Sequence, residues 1–387
     1  MEGTEAVRHQ RDVSEGPYRL IVVAGTRPNF VKIAPIVHEL QRHDDAFSWW
    51  LVHTGQHYDA VMSGVFFDEL GIPRPDIDLG AGSGSHAQQT AAIMSAFEPV
   101  LLEYQPNMVV VVGDVNSTLA CALVAAKLGV RVAHVEAGLR SFDRSMPEEI
   151  NRILTDQLSD LLFVTEESGL ANLRREGRPE ASIHLVGNVM IDTLRAHQGT
   201  AVQANVPARL GLDDGGFALL TLHRPSNVDE PAVFERILQG LEVIARDVPI
   251  VFPVHPRTRS VVARSPRAVR LIGHNMLRLT EPLGYFDFLG LMSASRAVLT
   301  DSGGIQEETT VLGVPCLTLR DNTERPATVT FGTNRLVGTE PAAIIAAWQQ
   351  TRRGTSATAI PPLWDGLAAQ RIVSVLCNEV ATRGVTV

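Results

Sequence analysis

Short apolar runs rich in Val, Ile and Leu alternate along this chain with longer stretches of helical periodicity, and nearly every run ends in a polar cluster. RLIVVAG leads into FVKIAPIVHELQRH and SWWLVH into DAVMSGVFFDEL; a long helix is expected over Ser85–Tyr104, then the strand MVVVVGD, a helix over Ser117–Leu128 and the strand RVAHVEA. A helix opening at Met146-Pro147, LLFVT, a further helix and IHLVG complete the first half. This is βαβ grammar. Runs as uniformly apolar as MVVVV belong in parallel sheets covered on both faces.

Around residues 196–214 the rhythm lapses, and FALLTL, PIVFPVH, RAVLTD and PCLTLR restart it. The expected fold class is therefore α/β, with two doubly wound Rossmann-like domains and a cleft between them. Residues 1–17 read as a loose polar arm, 18–195 as the N-terminal domain and 205–365 as the C-terminal domain. The apolar helix near Gly366–Ala381, within 366–387, has no strand after it and must pack back on one of the domains.

With 34 Lys and Arg against 43 Asp and Glu, the net charge of −9 draws the whole molecule to neither nucleic acid nor an anionic membrane. No run has the length of a membrane helix or a signal-peptide core, so a cytoplasmic protein is expected. Cys121, Cys316 and Cys377 lack CxxC spacing and suit reduced thiols in apolar surroundings. No zinc spacing, phosphate-loop motif or clear dinucleotide fingerprint occurs; GAGSGS at Gly80–Ser85 is GxGxGx and follows no clear strand. Neither a metal nor another cofactor is expected.

In open parallel sheets, ligands bind at the carboxyl ends of the strands. GTRPN, TGQH, GDVNST and EAGLR follow strands in the first half, and HRPSN, HPRTR and DSGG do so in the second, so both halves should contribute to one cleft. In TDSGGIQEET, Ser302, Gly303 and Gly304 open a helix whose free N–H groups and positive dipole end suit a diphosphate. The plainer alternative is that Asp301 or Ser302 caps that helix. Glu307 and Glu308, one turn in, could accept ribose hydroxyls. Arg27 and Lys32 could reach a phosphate from the opposite half. Lys32 stands out because only Lys32 and Lys127 are lysines. Asp114, Glu136 and Glu148 lie at strand or helix ends on one edge, where like charge and burial would raise carboxyl pKa values into the range useful for proton transfer. Each also has an ordinary turn or dipole role. His223 and His255 end neighbouring strands beside the proposed cradle.

GTRPNFVKIAP, TGQHYD, GDVNSTLA, HVEAGLRS, MPEEINR, GNVMIDT, TLHR, PVHPRT, EPLGYFDFL, TDSGGIQEE and TERP, in that order from about residue 19 to 340, resemble the non-hydrolysing UDP-N-acetylglucosamine 2-epimerases. The resemblance implies a glycosyltransferase-B-like fold, a UDP-sugar substrate, a homodimer, and a final helix that crosses back to the N-terminal domain. By motif position, Arg27, Lys32, His223, Ser302, Gly303 and Gly304 resemble diphosphate contacts and Glu308 the ribose ligand. Leu283 and Phe288 would border the uracil, Arg325 would complete the nucleotide site, and Asp114, Glu136 and Glu148 match the catalytic carboxylates.

The family route eliminates UDP across C1–C2 to give 2-acetamidoglucal and adds it back with the proton delivered to the other face. Some members take a second UDP-N-acetylglucosamine as activator through the pair matched by Gln56 and His57, with an arginine where this chain has Gln88. Asn29 and Ser226 stand where many members have Glu. Rival functions are epimerisation of a modified UDP-sugar, a hydrolysing epimerase, a glycosyltransferase on the same fold and a silent nucleotide-sugar sensor.

Overall fold

A computed structural model describes residues 17–55, 67–351 and 359–382; the side chains of residues 27, 256 and 257 are also outside the description. The expected arm, except its last residue, therefore lies outside the described residues, as do Gln56, His57 and the side chain of Arg27.

Two parallel sheets carry the fold. The first contains β1 (Tyr18–Ala24), β2 (Phe47–His53), β3 (Ile77–Asp78), β4 (Met108–Val112), β5 (Arg131–Ala137), β6 (Leu161–Val164) and β7 (Ile183–Leu185), in the order β3-β2-β1-β4-β5-β6-β7. The second contains β8 (Ala218–Thr221), β9 (Ile250–Pro253), β10 (Leu277–Thr280), β11 (Ala297–Thr300), β12 (Cys316–Thr318) and β13 (Asn334–Leu336), in the order β10-β9-β8-β11-β12-β13. Both are Rossmann-like and doubly wound, in a glycosyltransferase-B-like arrangement. MVVVV is buried at every residue, as a strand covered on both faces must be. Three strands, β3, β10 and β13, had no clear sequence signal: each is short and carries polar residues at an edge of its sheet.

The lapse of rhythm between the halves is not a loose joint. A helix, Val189–Gln203, runs through its first part, and a short helix, Val206–Arg209, follows. The longer helix packs against the helix Arg27–Gln41 of the first domain and Tyr285–Ala294 of the second, so one apolar cluster runs from Phe30 and Ile33 through Leu194 to Leu289 and Met292.

The last helix, Ala368–Thr382, lays Ala369, Ile372, Val373, Leu376 and Val380 against the same cluster, with the spacing of an amphipathic helix. Burying each larger aliphatic side chain stabilises that docking by about 1.5–3 kcal/mol. Asp192 anchors the start of the helix by accepting the N–H groups of Ala368 (3.1 Å) and Ala369 (2.7 Å). Burial still pushes that carboxyl up, to about 6. No described helix is long and apolar enough to cross a membrane.

Candidate active site

The site lies where the carboxyl ends of the two sheets meet. Asp114, two residues beyond β4, pairs through Oδ2 with the Arg152 guanidinium of the helix Pro147–Leu158, while Asn151 Nδ2 donates to its main-chain carbonyl at 2.9 Å. Burial works to raise this carboxyl, but Arg152, Lys32 and Arg325 outweigh it and hold it below the ordinary range. The expectation that like charge and burial raise these carboxyls thus fails at Asp114, because the fold surrounds it with cations. Gly113, at φ +71°, lets the chain pass: a Cβ there would lie 3.0 Å from Lys32 Nζ and 3.1 Å from Glu136 Oε2.

Glu136 sits near the end of β5 in a left-handed conformation, φ +72°, where the register with β6 slips by a residue. Its side chain is 2 % exposed, between Lys32 Nζ on one oxygen and Arg325 Nη2 at 3.3 Å on the other. Glu148 is half-buried, and its side chain makes no hydrogen bond or ion pair with the described residues. Its neighbour Glu149 is the one committed to structure, accepting the N–H groups of Ser141 and Phe142 (both 2.9 Å) and pairing with Arg152 at 2.6 Å.

Across the cleft, Ser302 precedes the helix Gly303–Leu312 and makes no side-chain cap to it. Asp301 does not cap it either. That buried carboxylate accepts from the backbone N–H of His223 (3.1 Å) and Arg224 (3.0 Å) and from Asn227 Nδ2 (3.2 Å), and it lies 2.7 Å from His223 Nδ1. The capping alternative therefore falls, and the first turn of the helix is left to other partners. Asp301 also fixes the His223 ring, whose side chain is 59 % exposed, leaving Nε2 without a partner among the described residues. A Cβ on Gly303 would come within 2.6 Å of both Arg325 Nη1 and Glu324 Oε1, so a side chain there would displace the arginine; on Gly304 it would meet Met190 Cε at 3.0 Å.

Arg325 ties the halves together. Its Nη1 meets Glu324 at 2.6 Å, Nη2 reaches Glu136, and Nε lies 2.8 Å from Glu307, out of line for a hydrogen bond. Burial, followed by the nearby charges of Glu136 and Glu166, pushes Glu307 up to about 8 against the opposing pull of Arg325 and Lys32. Lys32 and Arg325, expected as nucleotide contacts, are thus bonded here to Glu136. Asn322 Nδ2 also donates to Asp143 at 3.4 Å, and Ala327 N to Glu166 at 3.4 Å, closing the same cleft.

On the far side, Glu308 is buried and accepts the Tyr285 hydroxyl at 2.9 Å. Leu283 and Phe288 are half-buried on the edge of the core, and His255 is exposed after β9. Burial pushes Glu308 up to about 7 from an ordinary 4.5. Because the folded pKa is raised, the native state holds a proton that the unfolded chain has lost, so this stabilising contribution is complete below about pH 4.5 and disappears as pH rises through about 7. Relative to Glu308→Gln, the unaltered chain should lose stability over that window by on the order of a few kcal/mol. Thermal unfolding of both proteins from acid to mildly alkaline pH checks this; parallel curves would remove Glu308 as the titrating group.

Arg152, Glu149, Asp301, Tyr285 and Glu324 were not singled out in the sequence as site residues. Arg152 and Asp301 find Asp114 and His223 through pairing across distant segments, which spacing does not reveal, whereas Glu149 and Glu324 pair with Arg152 and Arg320 three and four residues away. Gln88 caps its own helix with Ser85, and Asn29 Oδ1 accepts from Thr26 N and Oγ1 at 2.9 Å, so Asn29 closes the turn after β1.

Residues 38–377 match the family model described as UDP-N-acetylglucosamine 2-epimerase. The chain belongs to this family. Among relatives of the UDP-N-acetylglucosamine 2-epimerase family, the enzyme of that name from Methanocaldococcus jannaschii is 43% identical over 367 residues, covering 92% of this chain and 98% of its own. A UDP-2,3-diacetamido-2,3-dideoxy-D-glucuronate 2-epimerase from Pseudomonas aeruginosa is 45% identical over 323 residues, covering 83% and 88%. The crystal structure of the M. jannaschii epimerase in complex with UDP-GlcNAc and UDP superposes with a TM-score of 0.87 at 42% identity, covering 93% of this chain and 99% of the other.

Proposed function

We propose that this chain interconverts UDP-N-acetylglucosamine and UDP-N-acetylmannosamine by elimination and re-addition of UDP. The observation that carries the reading is the bridge by which Arg325, packed on Gly303 at the start of the cradle helix, also reaches Glu136. It brings anion-binding and proton-transferring groups into one site.

A diphosphate at Ser302, Gly303 and Gly304 would meet uncapped N–H groups and the helix dipole, with Arg27, Lys32, His223 and Arg325 as cations or donors. His255 would border it. Such an anion competes with Glu136 for Arg325 and Lys32, which frees Glu136 to act as a base. A carboxylate takes the proton from C2 as the C1–O bond breaks and its electron pair leaves with UDP, forming the C1–C2 double bond of 2-acetamidoglucal. UDP oxygen then bonds to C1 while a proton is delivered to the opposite face of C2. Asp114, Glu136 and Glu148 share these transfers. Glu308 receives the ribose, and Leu283 and Phe288 border the uracil. The sequence of bonds involves no net oxidation.

Incubation with UDP-N-acetylglucosamine in deuterated water, followed by proton NMR, tests the reaction. The C2 proton signal should disappear from both nucleotide sugars as N-acetylmannosamine product appears; turnover without deuterium at C2 would exclude the mechanism. Release of free N-acetylmannosamine would mark a hydrolysing epimerase, and no product without an added acceptor would favour a transferase or a sensor. The P. aeruginosa likeness supports a second reading in which the sugar is a diacetamido uronic acid, so that UDP-sugar belongs in the same assay. The family resemblance further supports a cytoplasmic homodimer, which sedimentation would test for its oligomeric state.

A further inference from the structure

Outside the groups that face the cleft, a buried and densely bonded cluster lies around His134, near Glu136. His134, two residues earlier on β5, is fully buried, with Nδ1 2.7 Å from Asp156 Oδ1 and Nε2 2.8 Å from the carbonyl oxygen of Gly113. A carbonyl can only accept, so Nε2 carries a proton. Asp156 is buried, which works to raise its carboxyl, yet His134 and Arg140 hold it below the ordinary range. Its Oδ2 pairs with Arg140 at 2.7 Å, and Arg140 with Glu176 at 2.6 Å.

The cluster has a second property. Asp156 Oδ2 also accepts the backbone N–H of Gly138, just past β5, at 3.1 Å, so one carboxylate grips the chain on both sides of Glu136. Through His134 it holds the carbonyl of the residue before Asp114, while Gly113 N donates to Val135 O at 3.0 Å. Glu136 in its left-handed conformation is a strained backbone position, and such a conformation persists only where its surroundings over-determine it.

We propose that Asp156 and His134 clamp the turn at Glu136 to the loop bearing Asp114, and so act as positioning residues for proton transfer at C2. This rests on the reaction proposed above. The two residues touch no substrate; they set the separation and aim of the carboxylates that do.

The first test uses His134→Leu, which removes both ring hydrogen bonds and should lower kcat about 100-fold while KM and UDP affinity stay within about threefold; a kcat within about threefold of the unaltered chain overturns the proposal. The second uses Asp156→Asn. Displacement of the carboxylates should lower kcat about 100-fold while KM and UDP affinity stay within about threefold. A kcat within about threefold of the unaltered chain overturns the proposal, as does a loss confined to KM. If Asp156→Asn fails to bind UDP and so has not folded, His134→Leu decides. Absence of deuterium exchange by the unaltered chain would instead refute the assigned reaction, and it is measured before any variant.

Discussion

Glu136→Gln is expected to lower kcat by about 10³-fold, within the range of about 10²–10⁴ that positioned acid–base groups supply, while leaving UDP affinity nearly unchanged. The amide keeps the volume of a side chain that is 2 % exposed, and it keeps an oxygen for Arg325, but it cannot hold a proton on that oxygen. It also leaves Lys32 without its anion in a buried place. Lys32 then turns more readily to a bound diphosphate, which is why UDP affinity should not fall. Product formation followed by NMR, with calorimetry of UDP binding, separates the two effects. A variant within about tenfold of the unaltered rate would move the proton transfer to Asp114 or Glu148.

Arg325→Met should do more to the fold than to any single contact. The guanidinium stands among Glu136, Glu307 and Glu324, all buried. Glu324 is held well below the ordinary carboxylate range: burial opposes this, but Arg325 and Arg320 outweigh it. Without Arg325 the group must either stay charged with one partner fewer or take up protons. Breaking a buried ion set by removing one member costs about 3–5 kcal/mol. The loss should grow with pH, because protonation of the abandoned carboxyls relieves it in acid. Denaturant unfolding at mildly acidic and mildly alkaline pH measures this, together with loss of epimerisation. Equal stability to the unaltered chain at both pH values would mean that the cluster adds nothing to the union of the domains. Arg325→Lys should recover little, since one ammonium cannot reproduce the separate contacts of Nη1 with Glu324 and Nη2 with Glu136.

Much of the architecture was legible. The strands β1, β4, β5 and β11 announce themselves by aliphatic runs, and the polar residues after them mark the ligand-binding edge, since a covered parallel sheet leaves only its strand ends open to solvent. Edge strands such as β13, with Asn334 and Arg335 in three residues, carry no such signal because one of their sides is unpaired and polar residues are tolerated there. The latter half of the helix Val189–Gln203 falls where the rhythm lapses, because Gly199 and its polar neighbours interrupt it. What holds it helical is burial against both domains at once, a tertiary effect that local propensity does not record.

In the site, Asp114, Glu136 and the glycines before Ile305 were identifiable by position, while their charge states were not. A reading by proximity of like charges predicted raised carboxyls; the fold supplied Arg152, Lys32 and Arg325 from distant segments, and at Asp114 the sign reversed. Periodicity and residue type determined the two-sheet plan and which edge of each sheet is polar, because hydrophobic burial acts on patterns that repeat along the chain. Which cation meets which carboxylate, and the left-handed turn that aims Glu136, were decided only by tertiary structure, because electrostatic energy depends on distances between residues that sequence separation does not measure.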